Sequence, residues 1–485
     1  MKIAYISFEV FPFAKVGGLA DVAGALPKYI NKTGEKIFVL MPYHRIVDKN
    51  AEGFLPEIFC ENMIPEFHSS KKPFSVYKTK LSDSDVDVYL IKNEDIFYTE
   101  DIYGGDNLAF QSTYFCDSAI TFIKKYFSDT DVINVNDWQT ALIPVYLKTV
   151  YSENNEMRKI STVFTIHNLG YQGLFDSSEL DNAGLPGYLY NVDALEFYGK
   201  VNFLKGGILF SDVINTVSKT YGEEIQTSEY SYGLDGVLKI RSDRLYGIIN
   251  GIDYKVYNPS DDPSLFFPIN NYADKIKNKK EFQKFLKLPE RPDVPVISLI
   301  SRLVDQKGLD LIFQIFEYLM LFDVQFVLLG TGDKKYMDFF SKMEEKYPEK
   351  VSANLKFDLD LAQKIYGSSD MFLMPSKYEP CGLGQMYAMR YGTVPVVRYT
   401  GGLADTVSEF YYEKEDSMGT GFGFYDYDSC KLFKAISKAV YVFYNEKERW
   451  NDLFNNCMKQ DFSYENTALQ YRELYKIAKD IKRRW

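Results

Sequence analysis

The sequence predicts two α/β domains, each a parallel sheet flanked by helices. The chain is 485 residues long, more than one ordinary core organises. Asp370 to Val407 holds two β-to-α crossings in succession. The first is a short apolar strand (Met371 to Met374), a turn carrying Ser376, Glu379, Pro380, Cys381 and Gly382, and then a helix. The second is a strand (Val394 to Arg398), Thr400-Gly401-Gly402 and a new helix start. The pentapeptide GGLAD occurs twice, at Gly17 to Asp21 and at Gly401 to Asp405, each time opening a helix after a strand and loop. That suits two similar halves facing one cleft.

In a parallel sheet such loops open at the carboxyl ends of the strands, where open α/β folds bind ligands. Glu379 is placed there to accept hydrogen bonds. Gly382, Gly384, Gly401 and Gly402 are expected to let backbone N–H groups approach an anion at helix starts. A ligand with hydroxyls at one end and phosphates at the other fits this pattern. EPCGLGQMYAMRYGT followed by VRYTGGLADTV resembles the signature of bacterial glycogen synthases and plant starch synthases, retaining glucosyltransferases of the GT-B fold. The resemblance implies two Rossmann-like domains around a central cleft and a C-terminal helix that crosses back to the first. It also implies that Glu379 holds sugar hydroxyls and that Cys381, Gly382, Leu383 and Gly384 line the donor. Gly384 stands where many relatives have Thr.

Composition narrows the class. With 46% hydrophobic and 25% charged residues the chain reads as globular. Sugar faces stack on rings such as its 39 Tyr and 37 Phe, although most of these are expected in the core. A net charge of −11 with no basic stripe argues against nucleic acid. It does not argue against a nucleotide-sugar, because screening beyond about 8 Å lets a few local cations dominate. Five cysteines without a C-x-x-C fit a reduced cytosol, needing neither disulfide nor zinc. Glu9 interrupts the first strand before a signal-peptide core could form. The most apolar region, Leu309 to Leu329, contains Asp310, Glu317 and Asp323 and reads as helix then strand, so no membrane span and a cytoplasmic location are expected.

In the first half, Lys2 to Ser7 is a strand, followed by a loop and a helix from Leu19. The loop sets Lys15, Gly17 and Gly18 at the helix start, either to hold a phosphate or simply as a glycine-rich turn with a solvated lysine. KVGGLADV resembles the family's KTGGLADV, whose lysine contacts the donor phosphates. By that resemblance Lys15, Gly17, Gly18 and Asp21 belong to the substrate site, with Val16 in place of Thr. The strand ending at Asn136 stops at Asp137, and the strand Thr162 to Ile166 stops at His167-Asn168, on the same rim as Lys15. A strand-end histidine is more often a structural hydrogen-bonder than a catalyst. In the family the matching Asp and His lie beside the transferred glucose, so His167 is expected to contact sugar hydroxyls rather than act as a base. Asn168 joins the site, and Tyr103, within the aromatic loop Phe97 to Asn107, is the sugar contact that the resemblance suggests. Asp83-Ser84-Asp85 and Asp129-Thr130-Asp131 mimic a D-x-D metal motif, but both precede their strands. They read as solvated turns, and no metal or other cofactor is expected.

The domain boundary is expected before Leu245, giving domains 1–244 and 245–462 and a C-terminal helix over 463–485. Asn250-Gly251 marks a turn, and Asn250 is carried into the substrate site by resemblance. The lysine run Lys275 to Lys287 reads as the solvated face of a helix. SRLVDQKGLD resembles the family's SRL-x-x-QKGLD, whose Arg and Lys grip the pyrophosphate; here they are Arg302 and Lys307. Physical reasoning agrees, since a departing nucleoside diphosphate gains negative charge that fixed cations stabilise in the absence of a metal. Gly330-Thr331-Gly332 lacks the third glycine of a dinucleotide fingerprint. Phe357 stands where the family usually stacks Tyr on adenine.

Together these features imply transfer of glucose from ADP-glucose to the non-reducing end of an α-1,4-glucan, with ADP released and configuration retained. Arg302, Lys307, Glu379, His167 and Asp137 form the expected catalytic set. UDP-glucose as the donor or as a second donor, or an epimerase or hydrolase on the same architecture, are the alternatives. A non-enzymatic glucan-binding protein leaves Lys15, Arg302 and Lys307 without a purpose.

Overall fold

The computed structural model describes residues 1–50, 55–99, 101–104 and 107–483. They divide into two units, residues 1–251 with the helix Tyr464–Arg483, and Ile252–Ser463.

The first unit carries β1 (Lys2–Ile6), β2 (Lys36–Pro42), β3 (Glu57–Met63), β4 (Phe74–Lys80), β5 (Asp87–Lys92), β6 (Val132–Asn136), β7 (Ser161–Ile166), β8 (Leu174–Phe175), β9 (Glu196–Phe197), β10 (Lys200–Asn202), β11 (Val213–Thr216) and β12 (Leu245–Gly247). Nine of them form one sheet, ordered β12-β11-β7-β6-β1-β2-β5-β4-β3, while β8, β10 and β9 form a small antiparallel sheet. From β12 to β5 every pairing in the large sheet is parallel. Strands covered on both faces need unbroken apolar runs, and Ile3-Ala4-Tyr5-Ile6 supplies one, wholly buried. The strand order reverses beside β1, so the loops after β1 and β6 flank the point where such sheets bind ligands.

The helix Tyr464–Arg483 closes this unit. Its buried face is Tyr471, Leu474, Tyr475 and Ala478 at helical spacing. Tyr475 donates its hydroxyl to Asn134 in β6 (2.9 Å), Arg472 pairs with Glu35 (2.8 Å) and Lys479 with Asp131 (2.5 Å). The acidic turns therefore have structural partners: Asp131 also accepts the Lys2 amide, Asp129 pairs with the Lys2 ammonium and Asp85 with Lys80. The domain boundary differs from expectation. Leu245 to Gly247 pairs with β11, Leu245 opposite Ile214, and so completes the first sheet rather than starting the second unit. The crossing to the second unit follows Gly251, where a β-carbon would lie 2.8 Å from the Tyr464 backbone.

The second unit holds β13 (Val296–Ile300), β14 (Gln325–Leu329), β15 (Val351–Asn354), β16 (Met371–Met374), β17 (Val394–Arg398) and β18 (Phe422–Phe424), all parallel, in the order β15-β14-β13-β16-β17-β18. Again the order reverses beside the first strand, here between β13 and β16. The GGLAD repeat does not mark equivalent places: one copy follows β1, first in its unit, and the other follows β17, fifth in its own. Phe316, Phe326 and Phe340 pack ring to ring in the core, each burial worth about 1.5–3 kcal/mol.

The lysine run is not uniformly solvated. Within the helix Tyr272–Phe285, Lys275 and Lys279 are buried. Lys279 pairs with buried Asp370 at 2.7 Å. The Lys275 ammonium donates to the carbonyls of Tyr366, Gly367 and Tyr391 and to the Thr393 hydroxyl, at 2.7 to 3.3 Å. Two helix ends thus lend their spare carbonyls to one cation. Burial pushes its pKa down to about 7.

Candidate functional site

In the second unit the loops after β13 and β16 are laced together. Lys377 N–H donates to Gln306 (2.8 Å), Gln306 Nε2 donates to the Tyr378 carbonyl (3.1 Å), and a β-carbon on Gly308 (φ 69°) would lie 2.0 Å from the Pro375 carbonyl. That lacing brings Lys307 to Glu379. The ammonium meets Oε2 at 2.6 Å, and the Ser376 hydroxyl donates to the same oxygen at 2.9 Å. Both partners are largely buried, with side chains 17% and 9% exposed. Arg302, at the end of the same strand, is exposed.

Gly401 and Gly402 do other work than expected. A β-carbon on Gly401 (φ 46°) would lie 2.0 Å from the Glu379 carbonyl, and one on Gly402 would lie 1.9 Å from that of Cys381. The Gly402 amide donates to the Glu379 carbonyl at 3.0 Å. These glycines let two loops close on each other, and the Gly402 amide is spent on the protein rather than held for an anion. Gly382 has φ 69°, Cys381 is buried, and Leu383 precedes a helix that starts at Gly384 without a side-chain cap. Gly330 and Gly332 likewise make room for the carbonyls of Ser301 and Leu303. Phe357, beyond β15, is 76% exposed. The structure thus joins Lys307, Glu379 and the Cys381–Gly384 turn, keeps Arg302 on the Lys307 loop, and sets Phe357 apart at the edge strand.

The first unit assembles a second cluster, around a residue that sequence reasoning passed over. Glu9, read only as a strand breaker, is buried. Its Oε2 accepts the amides of Val16 (2.5 Å) and Gly17 (3.1 Å), and Tyr103 hydrogen-bonds its carboxylate. The helix-start amide expected to meet a phosphate at Gly17 is therefore already held by an internal carboxylate, while Gly18 begins the helix. Burial raises the pKa of Glu9, against the lowering effect of those bonds. A lone acid directly after the first strand of a parallel sheet was the available signal. Lys15 pairs with Asp21 at 2.6 Å, and Val16 is exposed. Of the aromatic loop, Glu100, Gly105 and Asp106 lie outside the described residues, whereas Tyr103 packs against Phe8 at 6.1 Å.

Asp137 sits beyond β6 at φ 55°, ψ −179°, a backbone region that glycine enters freely and a β-carbon resists. Its Oδ1 accepts the His167 amide at 2.7 Å, and the Asn168 amide adds a second bond. Burial pushes its pKa up to about 7 despite these bonds, and nearby Glu9 adds to the rise. His167 Nε2 meets Asn136 Oδ1 at 3.0 Å. Asn136 donates its amide to Ile6, so its oxygen accepts, and the hydrogen lies on Nε2. Burial pulls the imidazole pKa down to about 3, so the ring is neutral with Nδ1 as its acceptor. Asn168 Oδ1 accepts the Gly170 amide at 2.9 Å. Asn250 is buried, with Oδ1 unbonded among the described residues.

Residues 2–240 match the starch synthase catalytic domain and residues 279–448 match glycosyl transferases group 1. The chain is 58% identical over 483 residues to a glycogen synthase of Petrotoga mobilis, covering all of both chains. It is 55% identical over 482 residues to a glycogen synthase of Thermotoga maritima, covering 99% of each. Among solved structures it superposes on the catalytic domain of starch synthase IV from Arabidopsis thaliana, bound to ADP and acarbose, with TM-score 0.88, 31% identity and 99% of each chain covered. A sucrose-phosphate synthase from Thermosynechococcus elongatus shares the fold at TM-score 0.60 and 17% identity over 98% of each chain. With parallel sheets that reverse order beside their first strands and homology from end to end, the chain belongs to the glycogen and starch synthase family of GT-B glucosyltransferases.

Proposed function

We propose that this glucosyltransferase moves glucose from ADP-glucose to the non-reducing end of an α-1,4-glucan with retention, releasing ADP and using no metal, in the cytoplasm. The observation that carries the reading is the Lys307–Glu379 pair, at the ligand-binding reversal of the second sheet with Arg302 on the same loop. Oε2 of Glu379 is taken by Lys307 and Ser376, which leaves Oε1 to accept sugar hydroxyls. Lys307 and Arg302 then face the diphosphate as its charge grows.

Retention by double displacement needs a carboxylate free to attack the anomeric carbon. Asp137 is committed to two backbone amides, and Glu379, with Oε2 held by Lys307 and Ser376, has its remaining Oε1 assigned to the sugar hydroxyls in this reading. Those commitments support same-face attack through an oxocarbenium-like state, with the diphosphate taking the acceptor's proton. Neutral His167 offers Nδ1 to a sugar hydroxyl, and Asp137 positions it through the backbone. Lys15 reaches the phosphates by exchanging Asp21 for them. The exposed Phe357 ring stacks on the base. ADP bound to the starch synthase IV structure favours adenine. No described helix is long and apolar enough to cross a membrane, in keeping with the location proposed.

The test is diphosphate release from ADP-glucose and from UDP-glucose, each with and without maltooligosaccharide, while the glucan is sized. Acceptor-dependent ADP release with lengthening is expected. Release without lengthening would point to a hydrolase, and a UDP-glucose preference would replace the donor.

A further inference from the structure

Two tyrosines of the first unit occupy strained backbone yet stay in solvent. β9 and β10 are joined by the two-residue turn Tyr198-Gly199, with φ of 49° and 78°. Such a turn needs positive φ at both central residues, which Asn-Gly supplies easily and a bulky side chain resists. Tyr198 takes the first position all the same and is 85% exposed, so its ring gains little beyond an edge-to-face contact with Phe197 at 4.7 Å. Tyr232 repeats the pattern at φ 50° and 47% exposure, followed by Gly233 at φ 87°.

These residues are neighbours. A β-carbon on Gly233 would lie 3.1 Å from the Phe197 ring and 3.6 Å from that of Tyr198. One on Gly170 would lie 3.4 Å from the tip of the Tyr232 ring. Gly170 belongs to the loop of His167 and Asn168, and Gln172 of that loop donates to the Tyr232 carbonyl at 3.2 Å. Tyr171 is itself 59% exposed. The Tyr232 ring therefore borders the His167 loop at Gly170, and the rings of Phe197 and Tyr198 lie next along at Gly233.

We propose that this run of rings is an outer binding track for the α-1,4-glucan acceptor, with Tyr198 at its far end. The proposal rests on the glucan synthase reading above. Tyrosine offers an apolar face to the C–H side of a sugar and a hydroxyl to its rim. Continuity with the His167 loop points to the same chain that receives glucose. Strain held at exposed rings is expected where a ligand uses them.

The experiment compares the full chain with its Tyr198→Gly and Tyr198→Phe variants; glycine suits the left-handed turn, so folding is kept. Calorimetric titration with maltoheptaose, without donor, should show Tyr198→Gly binding roughly two- to tenfold more weakly and Tyr198→Phe close to the parent. In steady state, the KM for maltoheptaose should rise in Tyr198→Gly while the KM for maltose, the donor KM and kcat stay put. Unchanged maltoheptaose affinity, or an equal loss for maltose, would overturn the track. A parent protein that binds maltoheptaose through Tyr198 yet fails to lengthen it would uphold the track and sink the synthase reading.

Discussion

Lys307 and Glu379 share a 2.6 Å ion pair. In the proposed reaction the lysine anchors the carboxylate that holds the sugar and faces the leaving diphosphate, so that one cation would couple the two ends of the donor.

Lys307→Ala should lower kcat by about 10²–10³, as for the loss of one stabiliser of transition-state charge. Stability should fall by only about 1–3 kcal/mol, because Ser376 still serves Glu379. Pairing it with Glu379→Gln should restore most of the stability and none of the turnover. Chemical denaturation and steady-state rates of the three variants check this; parallel losses in both would contradict it.

Phe357→Ala should weaken donor binding by about 1–3 kcal/mol, the worth of an aromatic ring on a base. Its melting temperature should not move, since the ring is 76% exposed. Phe357→Tyr should match the parent. An unchanged donor KM in Phe357→Ala would remove the ring from the site.

Asp137 makes stability depend on pH with a definite sign. Its folded pKa of about 7 exceeds the unfolded value, so between about pH 4 and 7 the folded state binds more protons. Its contribution to stability therefore falls as pH rises through that window. Asp137→Asn should flatten this component while lowering turnover, as seen in denaturation curves at stepped pH relative to the parent.

Lys275 has the opposite slope. Its folded pKa of about 7 lies below the unfolded value, so between about pH 7 and 10 the unfolded state binds more protons and stability from this group rises with pH. Lys275→Met should lose that rise and, by taking the ammonium from the Gly367 and Tyr391 carbonyls, should destabilise at pH 9 by about 2–4 kcal/mol. No change in slope would mean that the cation is not what titrates.

What the sequence reveals divides along physical lines. β13 and β16 were legible because a parallel strand buried on both faces must be apolar throughout, and Val296 to Ile300 and Met371 to Met374 are. Leu245 to Gly247 was misassigned because an edge strand so short carries no such run. Glu9 and Lys275 were misread because a charged residue states its cost of burial but not its partners. Those partners are backbone groups brought in by the fold: the Val16 and Gly17 amides for one, the Tyr366, Gly367 and Tyr391 carbonyls for the other. Gly401 and Gly402 look alike in sequence whether a glycine admits a ligand or another loop, and only the position of the Glu379 and Cys381 carbonyls decides.

The first unit is assembled from two pieces of chain, because the helix Tyr464–Arg483 lies on β6, whose Asn134 precedes Tyr475 by 341 residues. On the ribosome, residues 1–251 must wait while the whole second unit is translated, on the order of tens of seconds at about 5–20 residues per second. Throughout that time the face awaiting Tyr471, Leu474 and Tyr475 has no cover of its own. The second unit, continuous in sequence, can finish first, so the order of maturation runs against the order of synthesis.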